Sequence, residues 1–339
     1  MAHSNSPVDG ALAAAALAVA LSACDLPFGL SLVSTRALES GAGETLSGAS
    51  SLEITGSYVD TSARWTIDLQ LVRRPTAEHL VATASSKDGG PDVKLEAIVL
   101  GGTAFFRGPE FLAQHMGSDQ LSQNLVKVAG NSWWVGGIAA LPQLPDFTDG
   151  TAFRSTFLGP VVTKRTDHTS SDGVPAIEMS SPRADVFISA VAPYQVLRVR
   201  LVKGAVVDGI AEADFRFSNF NQDVKIMPPR DVINFSNLST LPPVYTVVAV
   251  DTSKCTSPCE LSAQLRNIGG GSGARAPSVV TFTVTDPAIG GVAGSCKVQV
   301  VPDVGYNGTT RAGCTVPDLN TQKLNAATVT ATVDNPGRA

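Results

Sequence analysis

The chain of 339 residues is poor in the groups that usually do chemistry. It has no Gly-x-Ser-x-Gly elbow, no His-Glu-x-x-His pair and no ladder of Asp with Gly of the calcium-binding kind, so the common hydrolase and metal signatures are missing. His79, His115 and His168 stand alone in sequence, and each reads as an ordinary exposed or satisfied histidine. Lys and Arg are scattered singly in a chain of formal net charge −5, which leaves no basic footprint for nucleic acid. Gly269 to Gly273 lies between strands with no helix following, which argues against a phosphate cradle. Neither catalysis nor a cofactor is expected.

Cysteine is absent between Cys24 and Cys255, and the other four, Cys255, Cys259, Cys296 and Cys314, fall in the last quarter. Four cysteines confined to one segment of an exported protein read as two disulfides, with three connectivities possible. Short loops close at the least entropic cost, which favours Cys255–Cys259 and Cys296–Cys314. The alternative is a zinc site, which Cys-x3-Cys spacing fits poorly.

Long apolar runs are also scarce. Ala11 to Ala20 is too short to span a bilayer comfortably and ends in small residues, as a secretory signal does. Met1 to Gly10 lacks the Lys or Arg usual in such a signal. Leu21-Ser22-Ala23-Cys24 resembles the lipobox of bacterial lipoproteins. That resemblance implies cleavage before Cys24, diacylglycerol on its thiol and a protein held to the outer side of a bacterial cell membrane. Asn234, Asn237 and Asn307 open glycosylation sequons, which matter only in a eukaryotic secretory host.

What the chain does have is alternation. Trp65 to Leu71 places apolar residues at odd positions and polar ones at even positions, the pattern of a half-buried antiparallel strand. Strands are expected at His79–Ser85, Val93–Leu100, Thr103–Phe106, Val161–His168, Ala176–Ser180, Val186–Ser189, Val196–Val202, Ala213–Asn219 and Val224–Met227. A helical block from Pro109 to Leu158 interrupts them. Pro109 suits a first helical position, Glu110 favours the helix dipole, and Phe111, Leu112, His115 and Met116 share a stripe. Leu125 belongs to a second helix that Gly130 ends, and Phe153 and Phe157 to a third.

Phe105 to Leu112, Leu125 to Trp134, Pro193 to Val199, Asp214 to Phe220 and Pro228 to Val232 together resemble LppX and LprG lipoproteins. The resemblance spans roughly Leu30 to Asn237. It implies a LolA-like curved antiparallel half-barrel whose concave face, covered by helices, holds acyl chains of a lipid or glycolipid. The inward candidates for that face are Trp65, Ile67, Leu69, Leu71, Phe105, Phe111, Leu112, Leu125, Trp133, Phe153, Phe157, Leu197, Val199, Leu201, Phe215 and Phe217.

After Leu241-Pro242-Pro243, a plausible linker, short strands recur from Val244 to Val333 with turns between them. The turn from Asn267 to Gly273 resembles that of Ig-like modules on bacterial surfaces, including the CARDB type. The expected class is α+β: the LolA-like half-barrel followed by an all-β Ig-like sandwich. The expected organisation is a signal peptide over 1–23, a flexible tether over 24–51, a lipid-binding domain over 52–240 and the sandwich over 244–334. The function expected is lipid or glycolipid binding and transfer by an envelope protein anchored to the membrane through Cys24. The alternative is a surface sensor or adhesion protein that binds an envelope protein partner through the sandwich.

Overall fold

The computed structural model describes residues 33–87, 89–317, 319 and 327–338; the signal segment and Cys24 lie outside these. The chain begins with α1 (Thr35–Gly48) and strands β1 (Ser51–Val59), β2 (Ala63–Arg73), β3 (Thr76–Ser86), β4 (Val93–Leu100) and β5 (Thr103–Arg107). Next come α2 (Pro109–His115), α3 (Gln120–Ala129), β6 (Trp134–Gly136) and α4 (Gly150–Phe153), which runs on as a π-helical turn (Arg154–Leu158). Strands β7 (Lys164–Ser171), β8 (Val174–Ser180), β9 (Ala184–Ser189), β10 (Val196–Leu201), β11 (Val206–Val207) and β12 (Ile210–Ser218) complete the first unit.

These strands form one 12-stranded sheet in the order β6-β5-β4-β3-β2-β1-β12-β10-β9-β8-β7, with β11 beside β12. Every pairing is antiparallel. Alternation sets which face is covered: Trp65, Ile67, Leu69 and Leu71 are buried, whereas Arg64, Thr66 and Asp68 are exposed. The buried side meets the apolar faces of all four helices in one continuous core. The β6 edge is closed by the chain itself, since Val135 N–H donates to Ile233 O at 2.9 Å and Ile233 N–H to Trp133 O at 2.8 Å. An edge so paired offers no open ladder to another chain.

Three expectations need correction here. Residues 35–48 are not a flexible tether but α1, capped by Ser34, whose side chain accepts the Ala37 N–H, with Leu38, Ala42 and Leu46 buried. Their four-residue spacing makes an apolar stripe that Ser, Gly and Thr between them obscure. Val224–Met227 forms no strand, and Met227 is 69% exposed. The strand expected from Val161 starts only at Lys164.

The C-terminal unit contains β13 (Tyr245–Asp251), β14 (Cys259–Asn267), β15 (Val279–Asp286), β16 (Gly291–Gln299), β17 (Thr309–Val316) and β18 (Thr328–Asp334). They make two three-stranded sheets, β13-β14-β17 and β16-β15-β18. Leu261 and Leu265 from one sheet meet Val280, Phe282 and Val284 from the other in a shared core. Cys255 is bonded to Cys259 at the entry to β14, and Cys296 to Cys314 ties β16 of one sheet to β17 of the other.

The two units are joined tightly. Leu241 and Val244 belong to the core of the first unit, and Pro242 and Pro243 are buried between them. The chain end returns to the first unit: Asp334 lies 2.6 Å from Lys127 on α3, and the Arg338 guanidinium donates to Asp231 O at 2.6 Å and Thr240 O at 2.9 Å.

Candidate ligand groove

Helices and loops cover the apolar face of the sheet unevenly. On the β12 side the space is filled by aromatics: Phe147 stacks on Phe157 with ring centroids 6.0 Å apart and meets Phe215 edge-on at 5.0 Å. Phe153 lies 6.0 Å from Phe217. A second cluster fills the β5–β6 end, with Phe106 stacked 4.8 Å from Trp134 and 5.7 Å from Phe111.

Between these clusters the cover is incomplete. A cleft of about 510 Å3 lies between Trp65, Ala84 and Val93 of the sheet and Ala113 and Gln114 of α2. Trp65 and Gln114 are shared with a second, of about 390 Å3, bordered by Leu141 and by Ile210 of β12. Leu141 in turn lines a third, of about 500 Å3, between Leu69, Leu80 and Val99 of the sheet and the segment from Ile138 to Thr148. Leu71, Glu78 and Thr148 carry the series into a fourth, of about 530 Å3, beside Arg73 and the end of α1. Each opens to solvent, and together they form an interrupted groove along the apolar face. Their sizes fall within the usual range of ligand sites.

The sixteen inward candidates divide three ways. Trp65, Leu69, Leu71 and Phe111 line these clefts. Ile67, Leu112, Leu125, Phe153, Phe157, Val199, Leu201, Phe215 and Phe217 are buried in filled core. Phe105, Trp133 and Leu197 are not on the covered face, a correction with a common cause. In β5 the inward residues are Ala104 and Phe106, and two adjacent aromatics give no parity signal. Trp134 is inward and Trp133 half-exposed, with the Arg107 guanidinium 4.8 Å above its ring. A register shift between Val196 and Arg198 turns Val196 inward and leaves Leu197 only half-buried.

Glu78 and the segment from Ile138 to Thr148 were not among the site residues expected from sequence. The available signal was parity, because Glu78 is in phase with the buried Leu80, Ala82 and Ala84, so its carboxyl must share their apolar face. Burial pushes that carboxyl above its ordinary value, and the negative charge of Asp146 adds to the effect. Asp146 itself stays low: burial opposes this, but Thr148 donates from backbone and side chain, Asp149 N–H also donates, and Arg73 lies near. Arg73 donates to Leu46 O at 2.7 Å and to Thr148 O, tying α1 and the segment to the sheet. At the other end Asp60 accepts the Trp65 indole N–H at 2.8 Å and fixes that ring. Tyr58, fully buried between Trp65 and Phe215, has its hydroxyl strongly raised, chiefly by burial and then by Asp60.

Most other ionised groups of the sheet lie on its opposite face. His79 and Arg107 share Glu96, and Arg198 holds Asp214 with Nε to Oδ1 at 2.7 Å. His115 instead sits 4.2 Å from the Phe111 ring and shares a hydrogen bond with Phe111 O. Among the described residues no three His, Cys, Asp or Glu side chains come together as a metal site, and no helix is long and apolar enough to cross a membrane. The lining is mixed: it is chiefly apolar beside Trp65, Ala84 and Val93 and becomes more polar toward Glu78, Arg73 and Thr148.

No family model matches the chain, and no curated protein matches it. Among solved structures it is similar to LprF from Mycobacterium bovis, at 16% identity and a TM-score of 0.37 over 57% of this chain and 95% of that one. That is the type of lipoprotein the sequence pattern resembles, and a likeness of this degree carries no argument of its own.

Proposed function

We propose that the protein is an exported envelope lipoprotein, anchored through Cys24, that binds acyl chains of a lipid or glycolipid along the groove and passes them on without catalysis. In this reading the first unit is a LolA-like half-barrel and the second an Ig-like spacer. The observation that carries it is the series of open clefts along one apolar sheet face, each sharing lining residues with the next. An acyl chain entering from water gains roughly 0.8 kcal/mol per buried methylene. Relative to a bilayer the gain is near zero, which suits a carrier that must also release.

The test is mass spectrometry of protein purified from its native membrane and then refolded with lipid. Stoichiometric acyl lipid is expected, and Leu71→Trp, which fills the junction of two clefts, should abolish it while the fold persists. No bound lipid in a folded parent protein would overturn the reading. Replacing Cys24 by Ser should release the protein from membrane fractions; unchanged partitioning removes the anchor.

The second reading, a sensor or adhesion protein acting through its sandwich, draws on the filled β12 side and on Val248, Val292 and Val301, exposed at 57%, 64% and 68%. Scattered apolar side chains of this kind are common on soluble proteins, so the groove weighs more.

A further inference from the structure

One segment of the groove's rim, residues 138–145, carries no charge, and neither does the chain that leads to it. From Val128 to Pro145 the chain runs for eighteen residues without a charged side chain, where its overall charged content of 16% would place about three. The Ile138–Ala140 turn in this stretch buries none of its residues. Ile138 is 46% exposed although it borders the cleft beside Leu69 and Val99. Across the neighbouring cleft, Ala140 to Gln143 face the β11–β12 turn at Asp208 to Ile210. That hairpin carries Val206, 67% exposed and paired with Ala211. Exposed apolar side chains thus stand near two adjoining clefts that share Leu141, Pro142 and Gln143.

We infer that this rim docks on a lipid bilayer, with Ile138 and Val206 entering its interfacial region; the inference rests on the acyl-binding reading above. An acyl chain leaving the groove for water would lose its burial, so an exit that touches a bilayer removes the barrier. The Ile138–Ala140 turn has no polar side chain with which to specify a protein surface, whereas a fluid apolar medium asks for none. Geometry allows contact with the leaflet that would hold Cys24. Eight residues lie between Cys24 and Val33, a reach of roughly 30 Å when extended. Val33 is fixed by Arg165, and α1 spans about 21 Å to Ser47, whose hydroxyl accepts the Gly150 N–H next to the clefts. The anchor would therefore hold the α1 end of the groove within roughly 50 Å of that leaflet.

The test uses the full chain with Cys24→Ser, carrying Ile138→Cys or Val206→Cys labelled with an environment-sensitive fluorophore, and phosphatidylcholine–phosphatidylglycerol vesicles. Thr66→Cys, on the outward face of β2, is the reference. Expected is a blue shift at 138 and 206, with quenching by brominated acyl chains, and neither at 66. No response at 138, or an equal one at 66, overturns the docking surface. A shift without vesicles that grows with protein concentration assigns the rim to a second copy of the chain and also overturns it. Val206→Asp, at a residue that lines none of the clefts, should slow acyl transfer between vesicles by about tenfold while bound lipid per protein stays unchanged. Protein that carries no lipid yet shows the fluorescence response overturns the acyl reading alone.

Discussion

Asn267 and Val244 are joined across the seam between the two units: the Asn267 side-chain oxygen accepts the Val244 N–H at 2.9 Å. The same oxygen accepts the Gly269 N–H, and the amide nitrogen donates to Gly270 O at 2.7 Å and Val304 O at 2.6 Å. One buried amide thus ties the linker, the glycine turn and the β16–β17 connection.

Asn267→Ala leaves these buried groups without partners. At 1–3 kcal/mol for each orphaned group, partly relieved by water, the expected loss is about 3 kcal/mol. Denaturant unfolding measures it. Gly269→Ala should act on the same seam, since a Cβ there would stand 2.1 Å from Pro242 O. If both variants unfold at the parent's midpoint, the seam does not couple the units.

Glu78 makes stability depend on pH in an unusual direction for a carboxylate. Its folded value is raised by burial and then by Asp146, so the neutral form favours the fold. That contribution is full below its ordinary 4.5 and is lost as pH rises through the raised value. Glu78→Gln should therefore be more stable than the parent at neutral pH, with the gap closing in acid. Asp146 has the opposite sign, because its folded value is lowered. Asp146→Asn should weaken the protein at neutral pH, and that deficit should shrink as pH falls through the folded value. Urea midpoints at neutral and acid pH test both; equal midpoints for Glu78→Gln and parent at each pH would remove Glu78 from the apolar face.

Trp133 and Trp134 separate what is legible in the sequence from what is not. Alternation in long strands is readable, as in β2, because many residues agree on one phase. Pairings of Cys255 with Cys259 and Cys296 with Cys314, favoured by loop length, are the ones formed. In β6, three residues long, local pattern cannot say which indole turns inward, and contacts with Phe106 and Phe111 decide it. The groove was hidden for a similar reason. Glu78 faces it by parity, but the segment that covers it, from Ile138 to Thr148, is held by long-range bonds such as Arg73 to Thr148 O.

The two indoles should differ sharply in energy. Trp134 is 6% exposed within an aromatic cluster, so Trp134→Ala should cost about 3–5 kcal/mol. Trp133 offers mainly a face to Arg107, and Trp133→Ala should cost about 1 kcal/mol. The Trp134 indole N–H is buried without a partner, so Trp134→Phe should be tolerated within about 1.5 kcal/mol. A reversed order would return Trp133 to the core.

Residues 35–48 give the sharpest contrast between a tether and a structural element. A tether's side chains contribute nothing to folding, whereas Leu46 has no exposed surface and its carbonyl receives the Arg73 guanidinium at 2.7 Å. Leu46→Ala should cost about 3 kcal/mol, and Leu38→Ala, equally buried, a similar amount. Ser34→Ala removes the cap on Ala37 N–H and should cost about 1 kcal/mol. Glu44→Ala, exposed on the opposite side of the helix, serves as the control and should stay within about 0.5 kcal/mol of the parent. Because α1 also borders the cleft at Ser47 and Ala49, its loosening should reduce bound lipid in step with stability. If Leu46→Ala and Leu38→Ala unfold like the control, residues 35–48 act as a tether after all, and α1 drops out of both the core and the groove.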